Sequence, residues 1–177
     1  MEQENQIKKL IEKIEKFKTS DKVDLSSKED LAVAVMNLIS IEEHLFFTYE
    51  KTGKEQYLQL LNEVRQTRKK YLAEIVKNPE GEIWCISKHL LASAMRFMEV
   101  GTKMLQDNKK KEAEDLFGKA NSLWNMFWGL NLNLLDIKDV NIEGESDKEI
   151  NLGKGKKISI FDTLNKVVKK ILDCCRE

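Results

Sequence analysis

Apolar residues recur at every third or fourth position along most of the chain, and this pattern constrains the fold more than any other feature. The pattern covers five long segments, whereas alternation of apolar and polar residues is confined to one short stretch near the C-terminus. Pro79 is the only proline, so few positions would interrupt a helix. The sequence therefore predicts an all-α protein.

The predicted helices differ in character. The first, residues 2–18, is amphipathic and has a narrow apolar side. Its apolar residues, called here the N-terminal stripe, are Ile7, Leu10, Ile11, Ile14 and Phe17. The third helix follows a break at Thr52-Gly53 and runs to about residue 77, where the sequence NPEG predicts a stop. Two further long helices are predicted over about 82–107 and 109–135.

The second helix is predicted to begin near residue 28 and to end at about Lys51. Ser27 with Asp30, or Ser26 with Glu29, has the spacing of a cap for its first free backbone N–H groups. Its first half, LAVAVMNLISI, is apolar on nearly every side. This pattern predicts a central helix surrounded by others.

The C-terminal part of the chain departs from helical periodicity. Residues 136–157 contain glycines and many charges and are predicted to form a long polar loop, in which EINL and KISI leave room for a small hairpin. A last helix is predicted after Ser159, which can form a capping box with Asp162.

The chain is long enough for one compact domain, and we treat residues 1–177 as a single helical domain. The segments 28–77 and 82–135 are each predicted to form a long helical hairpin. They align at an offset of about 55, which pairs Leu45 with Val100, Tyr49 with Met104, Leu61 with Leu116, and Ile75 with Leu130. Shared helical periodicity alone could also produce this alignment. The predicted fold is an antiparallel bundle of two hairpins with additional N- and C-terminal helices.

The segment 97–120 has large, apolar and small residues at the spacing of a two-helix unit: Phe97, Val100, Gly101, Met104, Ala113, Phe117 and Ala120. It resembles one unit of the tetratricopeptide-repeat family, in which small residues let two helices approach closely. Asn125 stands where that family has proline, and the pattern does not recur 34 residues earlier or later. We therefore expect these small residues to mark close packing inside a long hairpin, and no repeat array.

Charge and cysteine content exclude several classes of partner and site. The 30 basic and 30 acidic side chains cancel, so no nucleic acid or anionic membrane partner is expected. The cysteines at 85, 174 and 175 form no Cys-x-x-Cys pair, and the N-terminus lacks the apolar core of a signal peptide. No stretch is expected to reach the roughly 18 apolar residues of a membrane span. We therefore expect a cytoplasmic protein.

The sequence gives little support for a metal-binding or phosphate-binding site. A di-iron bundle site needs two Glu-x-x-His pairs, but neither His44 nor His89 has a glutamate three residues before it. Cys85 and His89 share a helix face and are weak candidates for zinc ligands, although a buried cysteine and a hydrogen-bonded core histidine are the simpler interpretation. No metal and no cofactor are expected.

The sequence GKGKK at 153–157 lacks the first glycine and the Ser/Thr of a P-loop. Its lysines, Lys154, Lys156 and Lys157, precede a predicted helix N-terminus, where an anion could bind. A solvated loop without a ligand explains the same residues.

The aromatic segment 123–135 is the main candidate for a binding surface. The residues predicted to bind a partner are Phe117, Trp124, Phe127 and Trp128. The helix has more apolar circumference than one neighbour can cover, so it is either buried on two sides or presents aromatic anchors to a partner. The predicted function is a non-enzymatic interaction or scaffold protein that binds a partner helix or its own copy. The alternative is a small-molecule or nucleotide-binding enzyme with a pocket inside the bundle and residues 136–157 as a lid.

Overall fold

The computed structural model describes residues 8–9, 11–13, 25–76, 82–135, 150–151, 157–158, 164 and 168. The helices are α1 (Ser26–Thr52), α2 (Gln56–Ile75), α3 (Glu82–Gln106) and α4 (Lys110–Asn131), and the strands are β1 (Ile150–Asn151) and β2 (Lys157–Ile158). Residues 8–9, 11–13, 164 and 168 are also helical. The predicted all-α class is confirmed, and the described helices agree with the predicted N-terminal helix, two hairpins and C-terminal helix.

Each hairpin is closed by a turn with a left-handed residue. Gly53 has φ of 62° and donates its backbone N–H to the carbonyl oxygen of Tyr49, which ends α1. Asn108 has φ of 59° in the turn between α3 and α4. Glycine and asparagine tolerate this conformation better than other residues, so both turns are encoded locally.

The start of α1 differs from the prediction. The helix begins at Ser26, with Leu25 in the cap position and no side-chain hydrogen bond from that residue. Leu25 is 5 % exposed and belongs to the core. Burial of this leucine fixes the helix start, two residues before the predicted one. The predicted stop at 78–81 lies outside the described residues.

The core lies at the ends of the hairpins opposite their turns, called here the base; the turn ends are called the tips. All four helices contribute to this core, together with Leu164 and Val168. The buried apolar side chains that form this core are Leu25, Ala32, Val35, Met36, Leu72, Ile75, Val76, Leu90, Leu91, Ala94, Phe127, Trp128, Leu164 and Val168. The closest packing is within each hairpin, between α1 and α2 and between α3 and α4, and α1 also contacts α3.

Buried positions repeat between the hairpins at the predicted offset of 55. The pairs in which both residues are buried are Ala32 with Ser87, Val35 with Leu90, Met36 with Leu91, Leu72 with Phe127, and Val76 with Asn131. Gly53 and Asn108 in the turns share the same offset. Helical periodicity alone does not account for matching turns, so the two hairpins correspond in their turns and at these buried positions.

The prediction that α1 is surrounded by other helices is wrong for the described part of the chain. Val33 and Ile41 are 48 % and 44 % exposed. Among the described helices, α1 is also long and apolar enough to cross a membrane by length and composition, with mean hydropathy of 1.4, contrary to the expected absence of such a stretch. A core helix or a signal sequence passes the same test. Glu42 and Glu43 within α1 pair with arginines of α2 and α3, which favours a bundle helix.

The small hairpin predicted inside 136–157 and the following residues is present. β1 and β2 pair antiparallel, with Ile150 opposite Ile158 and Asn151 opposite Lys157. Residues 136–149 and 152–156 lie outside the described residues, so the predicted lid remains a prediction.

Candidate functional site

A cleft of about 560 Å³ opens between α1 and α3, next to the core on the side of the tips. It is called here the inter-hairpin cleft. Its lining residues are Met36, Ile39, Ser40, Glu42, Glu43 and Phe46 of α1, Leu61 of α2, and Ala92, Ser93, Arg96 and Phe97 of α3. The cleft forms because the hairpins are joined at the base, and few side chains fill the space between α1 and α3 toward the tips.

The floor and walls of the cleft are largely apolar. Met36 is 7 % exposed and belongs to the core, and Ile39 packs against that core. Phe46, farther toward the tip, is 46 % exposed, and its ring makes an edge contact with Phe47 at 5.3 Å between centroids. A large aromatic side chain in this position leaves apolar surface in contact with water. The cleft therefore offers burial to an apolar ligand.

Small side chains keep the cleft open. Ser40 on α1 and Ala92 and Ser93 on α3 line it where the two helices face each other. Small residues at facing positions leave room between two helices, which larger side chains would fill.

One buried ion pair fixes α1 to α2 beside the cleft. Arg68 Nε donates to Glu42 Oε1 at 2.7 Å, and Nη2 donates to Oε2 at 3.1 Å. The Arg68 side chain is 5 % exposed and that of Glu42 is 17 % exposed. Two parallel hydrogen bonds hold the carboxylate in one orientation. Glu42 is therefore a positioned structural group, and its carboxylate is already engaged.

A second ion pair joins the two hairpins across the cleft. Arg96 of α3 donates from Nη2 to Glu43 of α1 and from Nη1 to Glu99 at 2.5 Å. The hydrogen bond with Glu43 raises the pKa of Arg96, so its charge persists at any physiological pH. The side chains of Arg96 and Glu43 are 41 % and 42 % exposed. This pair is accessible to solvent and can be rearranged by a ligand at small cost.

The predicted aromatic surface is largely core. Phe127 is fully buried and Trp128 is 1 % exposed, so neither is available to a partner without unfolding. Trp124 is half-buried, with its ring 6.3 Å from Phe127 and 5.8 Å from Trp128 between centroids. Phe117 is half-buried and packs over Gly101. Of the two interpretations of this helix, the structure agrees with burial on two sides.

The weak metal candidates do not match the expected core positions. Cys85 and His89 are both exposed on α3, contrary to the expected buried cysteine and core histidine. Among the described residues, no group of three or more Cys, His, Asp or Glu side chains is placed to hold a metal ion. Of the proposed anion-binding residues, Lys154 and Lys156 lie outside the described residues, and Lys157 begins β2.

The main residues of the cleft were not identified from the sequence, although two signals were present. Glu42 and Glu43 interrupt the most apolar helix of the chain. Arg68 lies in the apolar stripe of α2, seven residues from both Leu61 and Ile75. Charges inside apolar stripes indicate buried partners on neighbouring helices.

The chain matches no protein-family model, no curated protein and no solved structure.

Proposed function

We propose that this protein is a non-enzymatic, cytoplasmic interaction protein that binds an amphipathic helix in the inter-hairpin cleft. The observation that carries the proposal is an apolar cleft of about 560 Å³ with the half-exposed ring of Phe46 on its wall. Burial of such surface is the main source of binding energy in helix recognition.

A short helix matches the length of this cleft. Along α1 the lining extends from Met36 to Phe46, which at a rise of about 1.5 Å per residue is ~15 Å of groove. Two or three turns of a partner helix have this length. Anchors at positions i, i+3 or i+4, and i+7 would then lie over the floor of the cleft.

The distribution of exposed apolar residues supports a binding surface in the tip halves of the hairpins. The exposed large apolar side chains there are Ile41, Phe46, Phe47, Leu58, Leu60, Met98, Val100 and Leu105. Soluble monomers rarely expose many apolar side chains close together unless the surface has a partner.

The Arg96–Glu43 pair supplies polar groups at the opening of the cleft. Both side chains are about two-fifths exposed and so remain within reach of a partner's charges. Polar groups at the rim of an apolar groove contribute to orientation and specificity more than to affinity. A bound helix therefore gains its affinity from Phe46 and its apolar neighbours.

One observation favours a second candidate, a small-molecule binding protein or enzyme. The cleft volume of about 560 Å³ lies within the range of ligand pockets. Its apolar lining with a few charged groups, Glu42, Glu43 and Arg96, is also typical of such pockets. A small molecule and a helix would compete for the same lining residues of the cleft.

The proposal is tested with the full chain purified from its native cells and two matched variants. Phe46→Ser changes the cleft, and Val33→Ser changes an equally exposed apolar residue of α1 that does not line it. We expect a protein partner to co-purify with the parent and with Val33→Ser and to be lost from Phe46→Ser. Native mass spectrometry that finds a small molecule lost from Phe46→Ser would instead support the second candidate. Equal loss from both variants contradicts a specific role for the cleft.

A further inference from the structure

The N-terminal helix carries an uncovered apolar side chain. Residues 8–9 and 11–13 are helical, and all five side chains are exposed. Ile11, a member of the N-terminal stripe, is 43 % exposed. Burial of an exposed apolar residue of an amphipathic helix lowers the free energy of the protein.

The N-terminal stripe and the inter-hairpin cleft have the same length. The stripe extends from Ile7 to Phe17, ten residues apart, and the lining of α1 extends from Met36 to Phe46, also ten residues apart. At helical rise the α1 lining is ~15 Å long, and the stripe has the same length in the predicted N-terminal helix. The stripe can therefore cover the cleft from one end to the other.

The chain connection allows the two to meet. Leu25 is buried at the base, and Met36 lies eleven residues farther along α1, which is ~17 Å at helical rise. Residues 18–24 connect Phe17 to Leu25, and a segment of this length can span up to ~25 Å when extended. Phe17 can therefore reach the lower end of the cleft, with Ile7 toward the tips and the helix antiparallel to α1.

The charges of the two surfaces are complementary. Residues 7–17 contain four lysines and two glutamates. The ion pairs of the cleft contain the carboxylates of Glu42, Glu43 and Glu99 and two arginines. The exposed carboxylates of Glu43 and Glu99 can accept hydrogen bonds from lysines at the flanks of a docked helix.

We propose that the N-terminal helix, residues 7–17, docks through its apolar stripe into the inter-hairpin cleft of the same molecule and competes there with the partner helix. The inference rests on the proposed function, since it makes the protein's own helix an autoinhibitory substitute for the partner. Docking in this register buries Ile7 against Phe46 and Ile11 one helical turn closer to the base. A partner must displace the helix, so partner binding frees the N-terminus.

The test uses the full chain with Cys85, Cys174 and Cys175 changed to serine. Ile7→Cys, which lies opposite position 46 in this register, is combined either with Phe46→Cys in the cleft or with Val33→Cys outside it, and mild oxidation is followed by electrophoresis and mass spectrometry. We expect an intramolecular disulfide with position 46 in preference to position 33. Equal yields with both positions, or a disulfide only between two molecules, would overturn the proposal; the second result would assign the cleft to a second copy.

A second pair of changes tests the role of the stripe in the same background. Leu10→Asp with Ile14→Asp places charge in the stripe, whereas Glu12→Asp changes the polar side of the same helix. We expect the double change to lower the yield of the 7–46 disulfide by at least about tenfold, because it removes two buried apolar side chains from the docked helix. Glu12→Asp should leave the yield unchanged. An unaltered yield after the double change would contradict docking through the stripe.

The two proposals fail separately. If the 7–46 disulfide does not form but a protein partner is still lost from Phe46→Ser, only the intramolecular docking is wrong. If the disulfide forms and no protein partner depends on Phe46, the docking stands and the interaction function is wrong.

Discussion

At the scale of single residues, Gly101 shows how closely the two helices of the second hairpin approach. A Cβ atom added to it would lie 2.7 Å from Cε1 and 2.9 Å from Cδ1 of Phe117. Gly118, in the facing helix, has no atom within 4 Å of the equivalent position. The resemblance of residues 97–120 to a tetratricopeptide unit thus includes a real close contact between a glycine and an aromatic ring.

Gly101→Ala and Gly118→Ala form a matched pair. Both replace a helical glycine, which favours folding by up to about 1 kcal/mol through helix propensity. At Gly101 the ring of Phe117 must shift, and overpacking of this kind costs about 1–3 kcal/mol. We expect Gly118→Ala to raise the free energy of unfolding measured in urea and Gly101→Ala to lower it. An equal gain from both would show that Phe117 gives way freely.

The aromatic residues of α4 also differ at this scale, although they share one sequence pattern. Trp128 is 1 % exposed, while Trp124, one turn before it, is half-buried. Periodicity places both on one helix face but does not say which turn lies at the base, where the core is. That distinction depends on the position along the hairpin, which only the three-dimensional packing determines.

At the scale of helices, two adjacent glutamates of α1 connect it to different neighbours in different environments. Glu42 binds Arg68 of α2, whose side chain is 5 % exposed. Glu43 binds Arg96 of α3, whose side chain is 41 % exposed. Loss of a partner leaves a buried charge in the first case and a hydrated charge in the second.

Glu42→Gln and Glu43→Gln test this difference with isosteric changes at adjacent positions. We expect Glu42→Gln to lower the free energy of unfolding by about 2–4 kcal/mol, because Arg68 would be left without its counter-charge. Glu43→Gln should lower the free energy of unfolding by at most about 1 kcal/mol, and the decrease should be smaller in high salt. The measurement is urea unfolding at low and high salt. Equal costs for the two variants would contradict the assigned burial of Arg68.

The pH dependence of the second pair follows from the sign of its pKa shift. Glu43 raises the pKa of Arg96 in the folded state above its ordinary value. Stability from this arginine is therefore fully present below the unfolded pKa and is lost only as pH rises through the higher folded value. Across the neutral range, salt and not pH weakens the contribution of Arg96.

At the scale of the whole molecule, the sequence predicted the helices and turns well, but it predicted poorly which helix surfaces are buried by neighbouring helices. The break at Thr52-Gly53 and the long helices were predicted to within a few residues, because helical periodicity and turn chemistry are local properties. The offset of 55 also reappears in the buried positions. These features require no knowledge of which helices touch.

The cleft could be predicted only with knowledge of which helices touch. A helix that is apolar on nearly every side gives no signal of which side is covered, so the exposure of Val33 and Ile41 on α1 could not be predicted. Phe46 and Phe97 lie on different hairpins, and they line one cleft only because the hairpins are joined at the base. The binding surface is a property of the arrangement of the two units.

Photo-crosslinking in native cells from position 46 directly tests whether the inter-hairpin cleft binds a helix. The full chain carries a photoreactive phenylalanine analogue in place of Phe46, with a control chain carrying it in place of Val33, and crosslinked peptides are identified by mass spectrometry. We predict that position 46 crosslinks to an amphipathic helical segment, either residues 7–17 of its own chain or a segment of one specific partner, and that position 33 does not. Crosslinks of equal yield and identity from both positions, or none to any polypeptide from position 46, would contradict the proposal that the inter-hairpin cleft binds a helix.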